Sequence, residues 1–177
     1  MCIRDRVYGI NTGFGPLCTQ LISEKDRLRL QHNLLLSHAV GVGDLIPVQI
    51  SRLMLILKLH SLAMGYSGVA PETLERILWH IQHNAIPCVP SQGSVGASGD
   101  LAPLAHLFLP LIGLGDLHHK NEIVPASDLL GREGLRPLRL GPKEGLALIN
   151  GTQFMAAHAV HFLSLSLIHI SEPTRPY

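Results

Sequence analysis

The 177-residue chain has only three cysteines, Cys2, Cys18 and Cys88, at no paired spacing. That count excludes a disulfide framework and fits a reducing compartment, so a cytoplasmic location is expected. Charge is also scarce: charged residues make up 15% of the sequence, the net charge is +1, and no run of lysine or arginine occurs. Nothing therefore points to nucleic acid or to an anionic membrane as partner. Long apolar runs are missing too. The stretches Leu53–Leu57 and Leu101–Leu114 are ended or interrupted by Lys58, His60, Pro103, His106 and Pro110. They are too short or too broken to span a bilayer and read as buried helix. There is no internal repeat and no low-complexity linker. Against these absences stands a hydrophobic content of 46%. The length suffices for one domain with a buried core. The apolar surplus implies surface made for partner subunits or for other parts of the same chain.

Local signals predict a mostly α-helical chain whose loops carry the polar chemistry. Ser23 followed by Asp26 is a variant capping box, and a helix is expected from about Glu24 to Ala39. Gly41-Val42-Gly43-Asp44 breaks it. Pro47 opens a second helix that runs to about Met64, and Pro71 a third that ends near Asn84. Asp100 stands where an N-cap belongs, ahead of a helix over Leu101–Leu109, with Pro103 in its first turn and Pro110 past its end. Leu117–Val124 reads as a small hairpin turning at Asn121, and Ser127–Glu133 as a short helix. A long apolar helix is expected from about Lys143 to Leu163, with Asn150 in its first half.

The densest cluster of glycine and serine is Gly93-Ser94-Val95-Gly96-Ala97-Ser98-Gly99-Asp100. Glycine admits backbone bends that a Cβ forbids. At Ala97-Ser98-Gly99 the Gly99 nitrogen can approach the Ala97 carbonyl carbon. Attack closes a five-membered ring through Ser98, and loss of the serine hydroxyl leaves an exocyclic methylene. Only a small residue before the serine and a glycine after it make that approach sterically easy. Taken alone, the tripeptide reads first as a turn before a capped helix. A phosphate cradle lacks both the G-x-G-x-x-G order and a following Lys-Ser/Thr, and a nucleophile elbow needs its second glycine one place later than Gly99.

Residues 93–105, Gly-Ser-Val-Gly-Ala-Ser-Gly-Asp-Leu-Ala-Pro-Leu-Ala, resemble the signature of the aromatic amino acid ammonia-lyases. Three other stretches are similar to that family in the same order. Val7-Tyr8-Gly9-Ile10-Asn11-Thr12-Gly13-Phe14-Gly15 resembles its tyrosine loop. Leu36-Ser37-His38-Ala39 resembles its selectivity segment in the histidine-specific branch, and Leu148-Ile149-Asn150-Gly151-Thr152 its asparagine motif. The resemblance runs from about Val7 to about Leu163. It implies a helical-bundle fold of which this chain is the N-terminal, electrophile-bearing portion.

The resemblance also implies roles. Ala97, Ser98 and Gly99 would cyclise to 4-methylideneimidazole-5-one (MIO), an electrophile that no ordinary side chain provides. Tyr8, otherwise a lone aromatic in a glycine-rich loop, would take the substrate's β-proton. An ordinary tyrosine titrates near 10, so that role needs positive potential such as helix N-termini supply. His38, otherwise a core histidine, would read the substrate side chain beside Ser37. That pair favours an imidazole, hence L-histidine, where the tyrosine branch resembles His-Leu and the phenylalanine branch an apolar pair. Asn150 and Gly151 are both poor helix-interior residues, which suggests a site; the resemblance gives Asn150 contacts to the electrophile or to the substrate carboxylate. Asn11 reads as a turn residue or as a supporting donor to Tyr8.

The implied activity is elimination of ammonia from L-histidine to give trans-urocanate. The alternatives are a tyrosine or phenylalanine lyase or aminomutase, and a non-catalytic helical fragment. The implied assembly is a homotetramer whose sites combine several subunits, so this chain alone is expected to be inactive. No metal is expected. His80/His83, His118/His119 and His158/His161 stand close in sequence, yet no cysteine or carboxylate completes a ligand set, and His106 receives no role. The partial lyase domain is placed at 7–164. Residues 1–6 and 165–177 are expected to fall outside the family and to be non-native tails.

Overall fold

The computed structural model describes residues 5–95 and 99–171. Among them the chain forms seven α-helices, two short 3₁₀ turns and five short strands, the predominantly helical architecture expected. Helix α1 (Glu24–His38) starts on Ser23, whose hydroxyl oxygen accepts from the Asp26 amide at 3.3 Å and donates to the Asp26 carboxylate at 2.5 Å. The Ser23 cap is therefore real, but the Asp26 carboxylate returns to the Ser23 hydroxyl and not to the Ser23 amide as a full capping box would have it. Helices α2 (Val48–Ala63) and α3 (Pro71–Gln82) begin on or just after their prolines, where the missing N–H is no loss. Helix α4 (Leu101–Phe108) stops before Pro110, which lies instead in a 3₁₀ turn, Leu109–Ile112.

Two small antiparallel sheets frame these helices. Strand β1 (Val42–Leu45) pairs with β3 (Pro90–Gln92), with Val42 opposite Gln92. Strands β2 (Ile86–Pro87), β4 (Asp116–His119) and β5 (Glu122–Pro125) form the second sheet in the order β2-β4-β5. The expected hairpin is β4–β5. It turns on Lys120 and Asn121, whose φ values of 50° and 65° are those a tight hairpin turn demands. The strand β3, which the sequence did not disclose, delivers the chain directly to the glycine-rich segment. Helix α5 (Ala126–Arg132) follows the hairpin.

One expected element is two. The long helix over 143–163 is broken into α6 (Glu144–Ile149) and α7 (Gln153–Ser171), with Asn150-Gly151-Thr152 between them. Asn150 is extended (φ −88°, ψ 121°) and Gly151 has φ +149°. The apolar periodicity continues across the break and conceals it. The helix-averse pair Asn150-Gly151 marks the place.

The core is centred on α4. Leu104, Ala105, Leu107 and Phe108 are fully buried among Leu34 and Leu35 of α1, Met54 and Leu55 of α2, and Leu148 and Ile149 of α6. Burying each large apolar side chain stabilises by about 1.5–3 kcal/mol, so α4 is the element least free to move. It begins at Leu101, immediately after the glycine-rich segment.

His80 on α3 gives the fold an acid limit. Its ring is buried, one nitrogen lies 2.9 Å from the Ala85 carbonyl, and Nε2 is buried with no partner. Burial pushes its pKa down to about 4 from 6.5. The unfolded chain then binds the proton more readily, so stability is complete above about pH 6.5 and falls as pH drops toward 4. Denaturant melts at pH 7 and pH 4.5 are expected to show a loss approaching 3 kcal/mol. Most of the loss should vanish in His80→Phe; an equal loss in that variant would refute the assignment.

Candidate active site

The tyrosine loop is held from both ends. Asn11 Oδ1 accepts from the Val7 amide at 2.7 Å, and its Nδ2 donates to the Asp5 carbonyl at 2.7 Å. Of its two readings, the turn role is the one its hydrogen bonds serve. Tyr8 is half exposed, its hydroxyl accepts from the Gly15 amide at 3.3 Å, and its ring meets Phe14 edge-on at 5.9 Å. A second tie was not anticipated. Gln31, fully buried on α1, donates to the Gly9 carbonyl and accepts from the Leu146 amide, both at 3.4 Å. It links the residue after Tyr8 to the first turn of α6, two residues before Leu148 opens the asparagine motif. The available signal was an uncharged polar residue on the apolar side of α1.

His38 is the last residue of α1 and is partly buried. Its Nδ1 lies 2.9 Å from the Leu34 carbonyl and 3.1 Å from the Ser37 hydroxyl. An Nδ1–H donated to that carbonyl leaves Nε2 as the acceptor of a neutral ring. Three residues on, the Gly41 amide donates to His106 Nε2 at 2.9 Å. His106 sits on α4, where burial lowers its pKa and keeps the ring in the neutral form that accepts. The residue left without a role thus ties the segment after His38 to the helix after Gly99.

Ala97 and Ser98 lie outside the described residues; Gly99 lies within them. Its φ is +111°, and a Cβ placed there would sit 2.6 Å from the Gly151 carbonyl oxygen. Only glycine fits. The next amide, that of Asp100, donates to the same oxygen at 2.8 Å. Gly99 and the asparagine motif are therefore in direct contact. Tyr8 and His38 make no hydrogen bond to Gly99 or Asn150 among the described residues.

Asp100 corrects a second expectation. It occupies the N-cap position of α4, but its side chain makes no capping bond there. The fully buried carboxylate accepts instead from the Ser94 hydroxyl at 2.9 Å and from the Met155 amide, in the first turn of α7, at 3.1 Å. The break between α6 and α7 makes this possible, because it presents a fresh helix N-terminus to Asp100. The positive ends of α4 and α7 meet at this residue. Asp100→Ala takes the acceptor from the half-buried Ser94 hydroxyl and from the Met155 amide at the start of α7. A loss of about 2–4 kcal/mol is expected in thermal or denaturant unfolding; a change below about 0.5 kcal/mol, the usual range of a surface substitution, would count against it.

Lys58 is the remaining surprise. It is 2% exposed on α2, and its Nζ donates to the Asn150 carbonyl at 2.6 Å. Among the described residues no group of three metal-ligating side chains converges, and no helix is long and apolar enough to cross a membrane.

The family described as aromatic amino acid lyase matches residues 3–167. Histidine ammonia-lyase of Deinococcus radiodurans is 53% identical over 151 residues, which cover 85% of this chain and 29% of that protein. The crystal structure of histidine ammonia-lyase from Trypanosoma cruzi superposes with a TM-score of 0.80 at 40% identity, covering 89% of this chain and 30% of that one. Tyrosine aminomutase from Streptomyces globisporus gives a TM-score of 0.80 at 38% identity, covering 86% and 28%. The chain spans about a third of the length of the curated relatives it matches.

Proposed function

Because the chain belongs to the aromatic amino acid lyase family, we propose that it is the electrophile-bearing portion of an enzyme that eliminates ammonia from L-histidine to give trans-urocanate. Gly99 carries this reading. A backbone position that tolerates no Cβ, at the third residue of Ala97-Ser98-Gly99, is what ring closure through Ser98 requires. In the closure the Gly99 nitrogen bonds to the Ala97 carbonyl carbon, and two waters leave, one bearing the carbonyl oxygen and one the serine hydroxyl. The MIO so formed would supply an electron-poor alkene, a chemistry absent from ordinary side chains.

The remaining roles belong to this chain's own groups. Tyr8 takes the β-proton on its phenol oxygen, which already accepts an N–H from Gly15. His38 offers Nε2 to the substrate's imidazole N–H. Asn150 binds the substrate carboxylate or the electrophile through its exposed carboxamide. We assign turnover to a cytoplasmic homotetramer of the full-length enzyme. The face of α7 that exposes Met155, Phe162 and Leu163 supports subunit packing there.

Two measurements on the full-length protein test the reading. Its peptide spanning 93–105 is expected to weigh two waters less than its sequence, and the enzyme is expected to release urocanate from histidine. An unmodified peptide would refute the electrophile. A modified peptide with turnover of tyrosine but not of histidine would move the assignment to the tyrosine branch.

A further inference from the structure

We propose that Lys58 is a positioning residue: its ammonium pins the Asn150 carbonyl and so fixes the break between α6 and α7 against which Gly99 packs. Lysine is almost never fully buried unless it is paired. Here it lies on α2 between the fully buried Met54, Leu55 and Leu62. Among the described residues its Nζ bonds to the Asn150 carbonyl and forms no salt bridge. The cost of holding a charge there is visible in its acidity: burial pushes the pKa down to about 8 from 10.5. A leucine or methionine would suit the packing of α2 better. The lysine is explained by the acceptor it reaches, the Asn150 carbonyl.

That acceptor needs a partner. Asn150 is the C-cap of α6 and is already extended, so its carbonyl faces away from the helix it ends. The last carbonyls of a helix have no intrahelical donor and must find one elsewhere. Lys58 provides it from a neighbouring helix at 2.6 Å. One residue further, the Gly151 carbonyl meets the Asp100 amide and abuts Gly99. Two successive carbonyls are thus held from opposite sides, one by α2 and one by the start of α4. If the first is released, the second no longer has a fixed direction. The Asn150 carboxamide and the seat of Gly99 then loosen together.

The positioning claim stands on geometry; its effect on turnover rests on the lyase reading. The test uses the full-length enzyme and two variants. Lys58→Met keeps the volume and removes the donor, and Lys58→Gln keeps an N–H. In Lys58→Met, amide hydrogen exchange in 150–155 is expected to quicken about tenfold or more, with α3 unchanged. The kcat is expected to fall about tenfold or more. Lys58→Gln is expected to recover part of both, and carries the comparison if Lys58→Met does not fold. Unchanged exchange in 150–155 would overturn the proposal, as would exchange quickened equally across the chain. Local quickening with unaltered kcat and KM would overturn it as well. A wild-type enzyme with intact Ser98 and no turnover would instead refute the lyase reading, while the exchange contrast still decides the role of Lys58.

Discussion

Gly99→Ala is expected to leave Ser98 unmodified and to lower turnover of histidine by about 10³-fold or more, as removal of a covalent catalyst does. The reason is local and steric. The added methyl would sit 2.6 Å from the Gly151 carbonyl oxygen, closer than real Cβ contacts come. That oxygen belongs to backbone, and it cannot swing aside as a flexible side chain does. It is bound to the Asp100 amide, and the preceding carbonyl is bound to Lys58. The left-handed φ of +111° adds strain for any residue with a Cβ. The cheapest relief moves Gly99 itself, and the Gly99 nitrogen is the atom that must reach the Ala97 carbonyl. Gly134→Ala is the control. It also has a positive φ, +67°, but nothing lies within 4 Å of the added methyl. It is expected to cost about 1 kcal/mol of stability and no activity. Mass measurement of the 93–105 peptide and urocanate release read both variants. Two-water loss with near-normal turnover in Gly99→Ala would show that the cradle is irrelevant to ring closure.

The helices were legible wherever a start signal and an apolar stripe coincided. Ser23 with Asp26, Pro47 and Pro71 each mark a start that the structure keeps to within a residue or so. The strands β1 and β3 were not legible, because Val42-Gly43-Asp44-Leu45 and Pro90-Ser91-Gln92 have no alternation long enough to declare itself. They pair through contacts far apart in sequence. The break at Asn150 was half legible. Its residues are wrong for a helix, yet the apolar pattern on both sides is continuous, and only the Lys58 and Asp100 bonds show why the chain stops there. Asp100 reads in the sequence as the cap of the nearer helix because capping is usually local. Its carboxylate went to α7, where an N-terminus that the sequence hid lay within reach. Gln31, Lys58 and His106 act through partners 22, 92 and 65 residues away. No motif spacing announces such links. What the sequence could offer was the anomaly of a polar or charged residue on an apolar helix face.

Tyr8→Phe is expected to lower kcat by about 10²–10⁴-fold while leaving the electrophile and the fold in place. The structure separates these effects. The ring lies edge-on to Phe14, and phenylalanine keeps that contact. The hydroxyl accepts one long bond, from the Gly15 amide, at an exposed site, so that amide turns to water when the oxygen is removed. A stability change within about 0.5 kcal/mol follows, as for a surface substitution. The loop stays anchored, because its ties run through Asn11 and Gln31 rather than through Tyr8. The hydroxyl accepts from Gly15 rather than donating to it, so its own hydrogen is not committed to the loop. A group placed in this way can lose its oxygen without disturbing anything except the reaction it serves. The variant should therefore show a two-water loss in the 93–105 peptide, an unchanged melting temperature and a KM for histidine close to that of the parent, with the deficit confined to kcat. A kcat equal to the parent's would remove Tyr8 from the chemistry and leave the β-proton to another base. A parallel fall in melting temperature would instead make the hydroxyl a structural group, contrary to its exposure and its single bond.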